Sequence, residues 1–197
     1  DACAPRTACI PRLTTGASPI SSAAASTRWF NLTGSISAGT EGLKTVSVVG
    51  GTGMINITSP ISDGAGTVAF TMNRPTGAPV YLSGSNTFSG GVTLQQGYLL
   101  LNNAAALGTG TFTISGGSLN SNLANLTVST NNAQVWNGDF VFIGNNNLNL
   151  GTGPVTLSGG TRQVSVNAAH LLVGGDIGED GLGYGLTKAG AGTMTLA

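Results

Sequence analysis

The chain has 197 residues, of which 40% are hydrophobic and only 7% are charged, with 32 glycines and a formal net charge of zero. The apolar content excludes an intrinsically disordered chain, and the balanced charge excludes the basic surface that attracts nucleic acid or anionic membranes. No uninterrupted apolar run reaches the roughly 18 residues of a membrane helix, so we expect no membrane-spanning segment. The length fits one domain or a short solenoid.

The first 30 residues predict an irregular N-terminal arm or cap. Pro5, Pro11 and Pro19 interrupt the segment, which shows no sustained apolar period. We therefore divide the chain into an arm or cap over residues 1–30 and a β-solenoid over residues 31–197.

Cys3 and Cys9, the only two cysteines, lie in this arm. In an exported protein they are candidates for a disulfide that closes a small loop, and the alternative is two unpaired thiols in a mobile tail. Two cysteines in an otherwise thiol-free chain favour the disulfide if the protein is exported.

Short β-strands are predicted from residue 43 onward, because apolar and polar residues alternate over three or four positions. The first runs cover residues 46–48, 54–57 and 68–70, and glycine-rich turns separate them. Residues 71–80 depart from this pattern, because they contain Arg74 and two prolines. We predict a loop or a bent edge segment there.

Residues 82–122 repeat one pattern several times. Runs such as Val92-Thr93-Leu94 and Phe112-Thr113-Ile114 end at glycines. Strands this short, with few residues between them and no helical period, leave no room for the helical crossovers of an ordinary parallel sheet. They can wind as a coil, so we predict an all-β fold, a right-handed parallel β-helix (β-solenoid).

This part of the chain also resembles a known family. The segments SGSNTFSGG, VTLQQGYLLL and NNAAALGTGTFTISGGSL are similar, in this order, to the passenger-associated transport repeat, the autotransporter-type β-strand repeat of secreted bacterial proteins. The segment GLTKAGAGTMTLA at residues 185–197 resembles the lead-in strand of that repeat. The resemblance implies export and a role in passenger folding and secretion, and it brings no catalytic residues. Any secretion signal is expected to have been removed or to lie outside the sequence.

After residue 122 the turn signals recur every seven to nine residues. Three such strands per coil give about 20 to 27 residues per turn and on the order of eight coils. A β-sandwich is the alternative, but it usually has fewer glycines and longer strands. The polar steps at 102–103, 131–132 and 145–147 favour the solenoid, because stacked asparagines can hydrogen-bond from coil to coil.

A longer period is also visible. The segment ISDG at residues 61–64 and the segment IGEDG at residues 177–181 precede similar apolar runs. This indicates that a unit of just over a hundred residues starts again near the end of the chain.

The apolar positions of the central and later runs predict a core that stacks coil on coil. The predicted core residues are Val92, Leu94, Leu99, Leu101, Phe112, Ile114, Leu119, Phe140, Phe142, Leu148, Leu150, Val155 and Leu157.

Catalytic chemistry has little support. Asp176, Glu179 and Asp180 form the only acidic cluster, and one imperfect glycine-rich copy favours a solvated turn over a calcium site. His170, the only histidine, has no motif-spaced partner and is predicted to be a surface or corner residue. We predict no enzyme activity, no catalytic or metal-binding residues and no cofactor.

We therefore expect a non-enzymatic, exported structural or adhesive protein at the cell surface or outside the cell. The alternative is a carbohydrate-binding or carbohydrate-cleaving β-helix, with Trp136, Tyr98 and Tyr184 as stacking platforms and surface glycans as partners. Exposed aromatic residues on one face beside Asp176 and Glu179 would favour this alternative.

The last strand is the candidate assembly strand, and it consists of Thr193, Met194, Thr195, Leu196 and Ala197. Its apolar residues still alternate where the sequence stops, so we expect either end-to-end self-association or a covalent continuation of the solenoid. In a self-associating rod we expect this strand to pair with residues 43–49 of a neighbouring copy.

Overall fold

The computed structural model describes residues 18–20, 29–50, 52–75 and 78–197. These residues contain 22 β-strands and no helix. Neighbouring strands of the described residues pair in parallel, as in the pair that joins Val92 and Phe112. The prediction of an all-β solenoid is confirmed.

Two long sheets run the length of the molecule, each with eight strands, numbered here in chain order. The first sheet contains β1 (Ser18–Ile20), β4 (Leu43–Val49), β7 (Thr67–Asn73), β9 (Val92–Gln96), β11 (Phe112–Ile114), β14 (Gln134–Trp136), β17 (Val155–Leu157) and β20 (Ile177–Glu179). The second contains β2 (Trp29–Leu32), β5 (Met54–Ile57), β8 (Val80–Leu82), β10 (Tyr98–Leu101), β12 (Ser118–Ser121), β15 (Phe140–Phe142), β18 (Arg162–Val166) and β21 (Leu186–Ala189).

A third face closes the coil, and its hydrogen bonding changes along the molecule. Near the start it is the pair β3 (Ile36–Ser37) and β6 (Ile61–Ser62), and near the end it is β13 (Leu126–Thr127), β16 (Leu148–Asn149), β19 (His170–Val173) and β22 (Thr193–Leu196). Irregular backbone joins the two parts: the Thr87 amide donates to the Ile61 carbonyl and the Thr109 amide donates to the Phe88 carbonyl, both at 2.9 Å. The side chain of Phe88 fills the core there.

We call one strand of each long sheet and the following third-face segment a layer. Paired residues in successive layers of the first sheet lie between 20 positions apart, as for Val92 and Phe112, and 28 positions apart, as for Ser18 and Val46. The eight strands of each long sheet are thus linked by about seven turns, close to the predicted number.

The core lies inside the coil, because alternate residues of each strand point inward. In β7 the side chains of Val68, Phe70 and Met72 are fully buried, and the residues between them are half-buried. All thirteen predicted core residues are buried and belong to one continuous cluster. The predicted core is therefore confirmed.

Glycine is required where one layer turns close above the next. Gly91 has a φ of 84°, and a Cβ atom there would lie 2.5 Å from the carbonyl oxygen of Thr111. Because that oxygen belongs to the backbone, no side-chain movement could relieve the contact. The frequent glycines of the sequence thus include positions where only hydrogen fits.

The predicted asparagine ladder is present at residues 145–147. The Asn147 side-chain amide donates to Oδ1 of Asn125 at 2.8 Å, and Oδ1 of Asn147 accepts from the His170 amide at 3.0 Å. Asn132 instead donates to two backbone carbonyls of the preceding layer, those of Gly108 and Gly110. Asparagine therefore joins layers both through other asparagines and through the backbone.

The prediction for residues 71–80 was wrong at both ends. Strand β7 continues to Asn73, and β8 begins at Val80. Arg74 is buried, and two backbone carbonyls compensate its charge. Its guanidinium donates to the carbonyl of Ala78 at 2.8 Å and to that of Gly53, in the preceding layer, at 2.6 Å. The charge that suggested a loop is thus held by backbone carbonyls between two strands.

The repeat of just over a hundred residues does not return to the same face. Ile61 lies on the third face in β6, whereas Ile177 lies in the first sheet in β20. Leu82 is in the second sheet, and Leu196 is on the third face. The similar segments are therefore one face out of phase, because 116 residues are not a whole number of coils.

The predicted arm or cap over residues 1–30 contains all of strand β1 and the first two residues of strand β2. Strand β1 pairs with β4, and β2 begins at Trp29 and pairs with β5. The sheets therefore extend to the N-terminal side of the predicted boundary at residue 31. Cys3 and Cys9 lie outside the described residues, and their disulfide remains a prediction.

Replacement of Phe112 by alanine should lower the free energy of unfolding by about 3 to 5 kcal/mol, as large core truncations do. Phe112 is fully buried and stacks between Val92 and Gln134. Chemical denaturation would measure the loss. Thr113→Ala, on the outward side of the same strand, is the control and should have a small effect; equal effects would contradict the register.

Replacement of Asp63 by asparagine should lower stability at pH 7 by about 1 kcal/mol. Its carboxylate accepts from the amides of Val68 at 2.7 Å and Ser89 at 3.1 Å. Desolvation raises the pKa of Asp63, but hydrogen bonds from the Ser89 side chain and from these two amides outweigh it, so the pKa is lowered.

A lowered folded-state pKa contributes stability above the unfolded value of about 3.9, and that stability is lost as the pH falls through the folded pKa. The difference between Asp63→Asn and the parent should therefore disappear in strong acid. Glu41→Gln, the same charge change at an exposed residue, is the control. A difference that persists in acid would contradict the role of the ionised carboxylate.

Candidate functional site

The last layer of the solenoid is the most distinctive surface of the described chain. It consists of β20, β21 and β22, and each is the end strand of its sheet. Each pairs with a strand on one side, namely β17, β18 and β19. An end strand presents unpaired backbone N–H and C=O groups, which can pair with a further strand. We call this surface the terminal layer.

The apolar core is open at the terminal layer. In the preceding layer Val155, Val164 and Leu171 are at most 1% exposed. Ile177 and Met194, the register partners of Val155 and Leu171, are only partly buried, and so is Leu186 of the same layer. Leu196 is 54% exposed and Leu182 is 70% exposed. The inward side chains of this layer therefore lack the cover that every internal layer has.

Lys188 interrupts this apolar surface. It pairs in register with Val164, whose side chain is fully buried, so Lys188 occupies a core-facing position of the terminal layer. It is exposed, and its ammonium group donates to the Gly190 carbonyl at 2.6 Å. An inward-pointing charge on an end strand is a device that weakens edge-to-edge association.

The predicted assembly strand lies in this layer. Thr193 to Leu196 form β22, and the Ala197 amide donates to the Val173 carbonyl at 3.1 Å. The predicted pairing of this strand with residues 43–49 of a neighbouring copy is wrong. Val46 to Val48 of β4 are already paired with β1 on one side and with β7 on the other, so they have no free edge for a further strand. In addition, β4 belongs to the first sheet, whereas β22 is on the third face.

The acidic cluster at residues 176–180 stabilises turns. Oε2 of Glu179 accepts from the amides of Leu182 and Gly183 at 2.7 Å and of Tyr184 at 3.3 Å. Desolvation raises the pKa of Glu179, but these three hydrogen bonds and one from the Gly181 amide lower it by more. The pKa of Glu179 is therefore lowered. Asp180 accepts from the Ser158 hydroxyl at 3.0 Å. Both carboxylates therefore bind groups of the chain itself.

Among the described residues, no group of three or more His, Cys, Asp or Glu side chains is placed to hold a metal ion. His170 begins β19, is half-buried, and its Nε2 lies 2.8 Å from the Thr195 hydroxyl. The described part of the chain also contains no helix long and apolar enough to cross a membrane.

The three aromatic residues predicted as sugar platforms lie in different environments. Trp136 is fully buried, with its ring centroid 5.1 Å from that of Phe140 in an edge-to-face contact and its indole N–H bonded to Oε1 of Gln134 at 3.1 Å. Its prediction as a platform was wrong, because alternation in β14 points it inward. Tyr184 is half-buried and packs against the core beside Glu179.

Tyr98 is half-buried at the start of β10 and lines a surface groove of about 390 Å³. In the order of the second sheet, β10 is four strands away from β21 of the terminal layer. The structure therefore does not bring Tyr98 together with Asp176 and Glu179. Sequence reasoning singled out Tyr98 but missed its neighbours Tyr81 and Leu100, which only the register of β8 and β10 places beside it.

Comparison of the chain with protein-family models, with curated proteins and with solved structures finds no match. The resemblance of residues 83–119 to the autotransporter-type repeat therefore remains a prediction.

Proposed function

We propose that the chain is a non-enzymatic, exported structural or adhesive segment of a β-helical rod, and that its terminal layer contacts a further β layer. The observation that carries this proposal is the open core at Ile177, Leu186, Met194 and Leu196, beneath three unpaired strand edges. A solenoid buries the face of each layer only against its neighbour, so such a surface is completed by another layer.

The sheet order indicates which strands would meet. If a second copy continues the rod, β20 would lie beside β1 of that copy, β21 beside β2, and β22 beside β3, since these strands begin the same faces. This replaces the pairing of β22 with residues 43–49. The contact is head-to-tail, and such contacts extend into filaments when they do not close into rings. A covalently continued chain would cover the same surface with its next coil.

A structural role is favoured over catalysis by the environment of the carboxylates. Glu179 accepts hydrogen bonds from backbone amides and Asp180 accepts one from a serine hydroxyl, so both carboxylates already bind groups of the chain itself. The proposed export and surface location are supported by the resemblance of residues 83–119 and 185–197 to repeats of secreted bacterial proteins. The absence of net charge removes a repulsion that would keep copies apart.

Light scattering should show that the full chain associates as its concentration rises, and electron microscopy should show rods. Leu196→Asp should abolish this association, because it places a charge on the open core. Deletion of residues 193–197 should have the same effect. Thr187→Asp is the matched control, since it adds the same charge to an exposed residue of β21 that pairs with the exposed Gln163. A strict monomer at high concentration would rule out self-association, and equal effects of the two aspartates would rule out the core contact.

Replacement of Lys188 by leucine should strengthen association, because it removes a charge from a core-facing position of the terminal layer. Glu179, in register with the buried Leu157, is a second charged residue at such a position. Lys188→Arg keeps the charge and should behave like the parent. The dissociation constant from sedimentation equilibrium would measure the change. Weaker association of Lys188→Leu would mean that Lys188 contributes a favourable contact, contrary to this proposal.

A further inference from the structure

The outward face of the second sheet carries an apolar patch in the middle of the molecule. Tyr81 of β8 pairs in register with Leu100 of β10, and Leu100 pairs with Asn120 of β12. Leu100 is only 1% exposed but lies outside the core cluster, because Leu99 and Leu101 on either side of it point inward. Side chains on the outer surface therefore cover Leu100.

The two tyrosines of this patch are held in position by asparagines. The side-chain amide of Asn120 donates to the Tyr98 hydroxyl at 2.6 Å, and Asn120 is itself fully buried. Tyr81 is hydrogen-bonded to the Asn122 side chain. Because the rings are fixed before any ligand binds, a ligand would lose little free energy in ordering them.

A groove lies beside the Tyr98 ring. Its volume of about 390 Å³ is within the range of about 300 to 1,000 Å³ that is usual for small-molecule sites. Its walls combine an aromatic ring with amide, hydroxyl and glycine backbone groups, and the lining residues are Arg74, Pro75, Gln96, Gly97, Tyr98, Gly117 and Ser118.

The charge of the groove determines the class of ligand. Among the described residues of its lining only Arg74 is ionic, and its guanidinium already donates to the carbonyls of Gly53 and Ala78. No carboxylate is among the described residues that line the groove. Neither an acidic nor a basic ligand would find an uncommitted counter-charge, so the chemistry favours a neutral, hydroxyl-rich molecule.

We propose that this groove binds a neutral saccharide, with a pyranose ring stacked on Tyr98 and its hydroxyls bonded to the polar groups of Gln96 and Ser118. The apolar face of a sugar ring suits an aromatic ring, and the surrounding hydroxyls suit amides and hydroxyls. This inference goes beyond the rod function and does not depend on it, because the groove is built from internal layers.

Affinity electrophoresis in native gels tests the proposal with named probes: laminarin, hydroxyethylcellulose, glucomannan and glycogen as neutral polysaccharides, and polygalacturonate as an acidic one. At least one neutral polysaccharide should retard the full chain, and polygalacturonate should not. Tyr98→Ala should reduce the retardation, and the dissociation constant obtained from it should rise by roughly tenfold or more. Tyr98→Phe keeps the ring and should retain most of the binding. Tyr184→Ala, a half-buried tyrosine outside the groove, should bind like the parent.

Retardation by none of the neutral polysaccharides, by polygalacturonate alone, or equally for Tyr98→Ala and the parent would overturn the proposal. Circular dichroism checks that Tyr98→Ala is folded, because loss of this ring could uncover Leu100. If it is not folded, Gln96→Ala, at an exposed residue, and Ser118→Ala test the same groove. The gels can be run with Leu196→Asp, so that association does not affect mobility.

Discussion

The structure depends on one constraint: a layer of a parallel solenoid cannot bury its own inward side chains, and the layers on either side of it must cover them. Phe112 illustrates this, because it is buried between Val92 of one layer and Gln134 of the next. The same constraint explains why burial is complete in the internal layers and fails at Leu196 and Met194, which have a neighbour on one side. The burial of the internal layers and the partial exposure of the terminal layer thus have a common origin.

Polar side chains keep the layers in register. The Asp63 carboxylate accepts hydrogen bonds from the backbone amides of Val68 and Ser89. The Asn147 side chain is hydrogen-bonded both to Asn125 in the layer before it and to the His170 amide in the layer after it. Such bonds satisfy backbone groups that the short strands leave without a strand partner. In a chain with only 7% charged residues, amides and hydroxyls thus make polar contacts between layers.

The strands and the core were predictable from the sequence, because a period of two residues directly records which side chains point inward. Phe112, Phe140 and Leu148 illustrate this success. The face on which a run lies was not predictable, because the coil length varies and each change shifts all later positions. The similar segments at 61–64 and 177–181 therefore suggested equivalence, although they lie on different faces.

The candidate sites were less predictable, because they depend on contacts between layers. The burial of Arg74 requires carbonyls of Gly53 and Ala78 that only the folded coil brings near it. Tyr98 and Trp136 are both aromatic residues in short strands, yet one lies on the outer surface and the other in the core. Register alone distinguishes them, and the same register reveals Leu100 beneath the tyrosines.

The two proposed sites are compatible in one molecule because they use different directions of the solenoid. The terminal layer faces along the axis, so contacts there would determine how far the rod extends. The groove beside Tyr98 faces outward from internal strands that are already paired on both sides, since β10 lies between β8 and β12. Extension of the rod at its end would therefore leave the groove accessible, and each added copy would bring another groove. A rod built in this way would bind a polymeric saccharide at several points at once, so weak binding at one groove would become strong attachment.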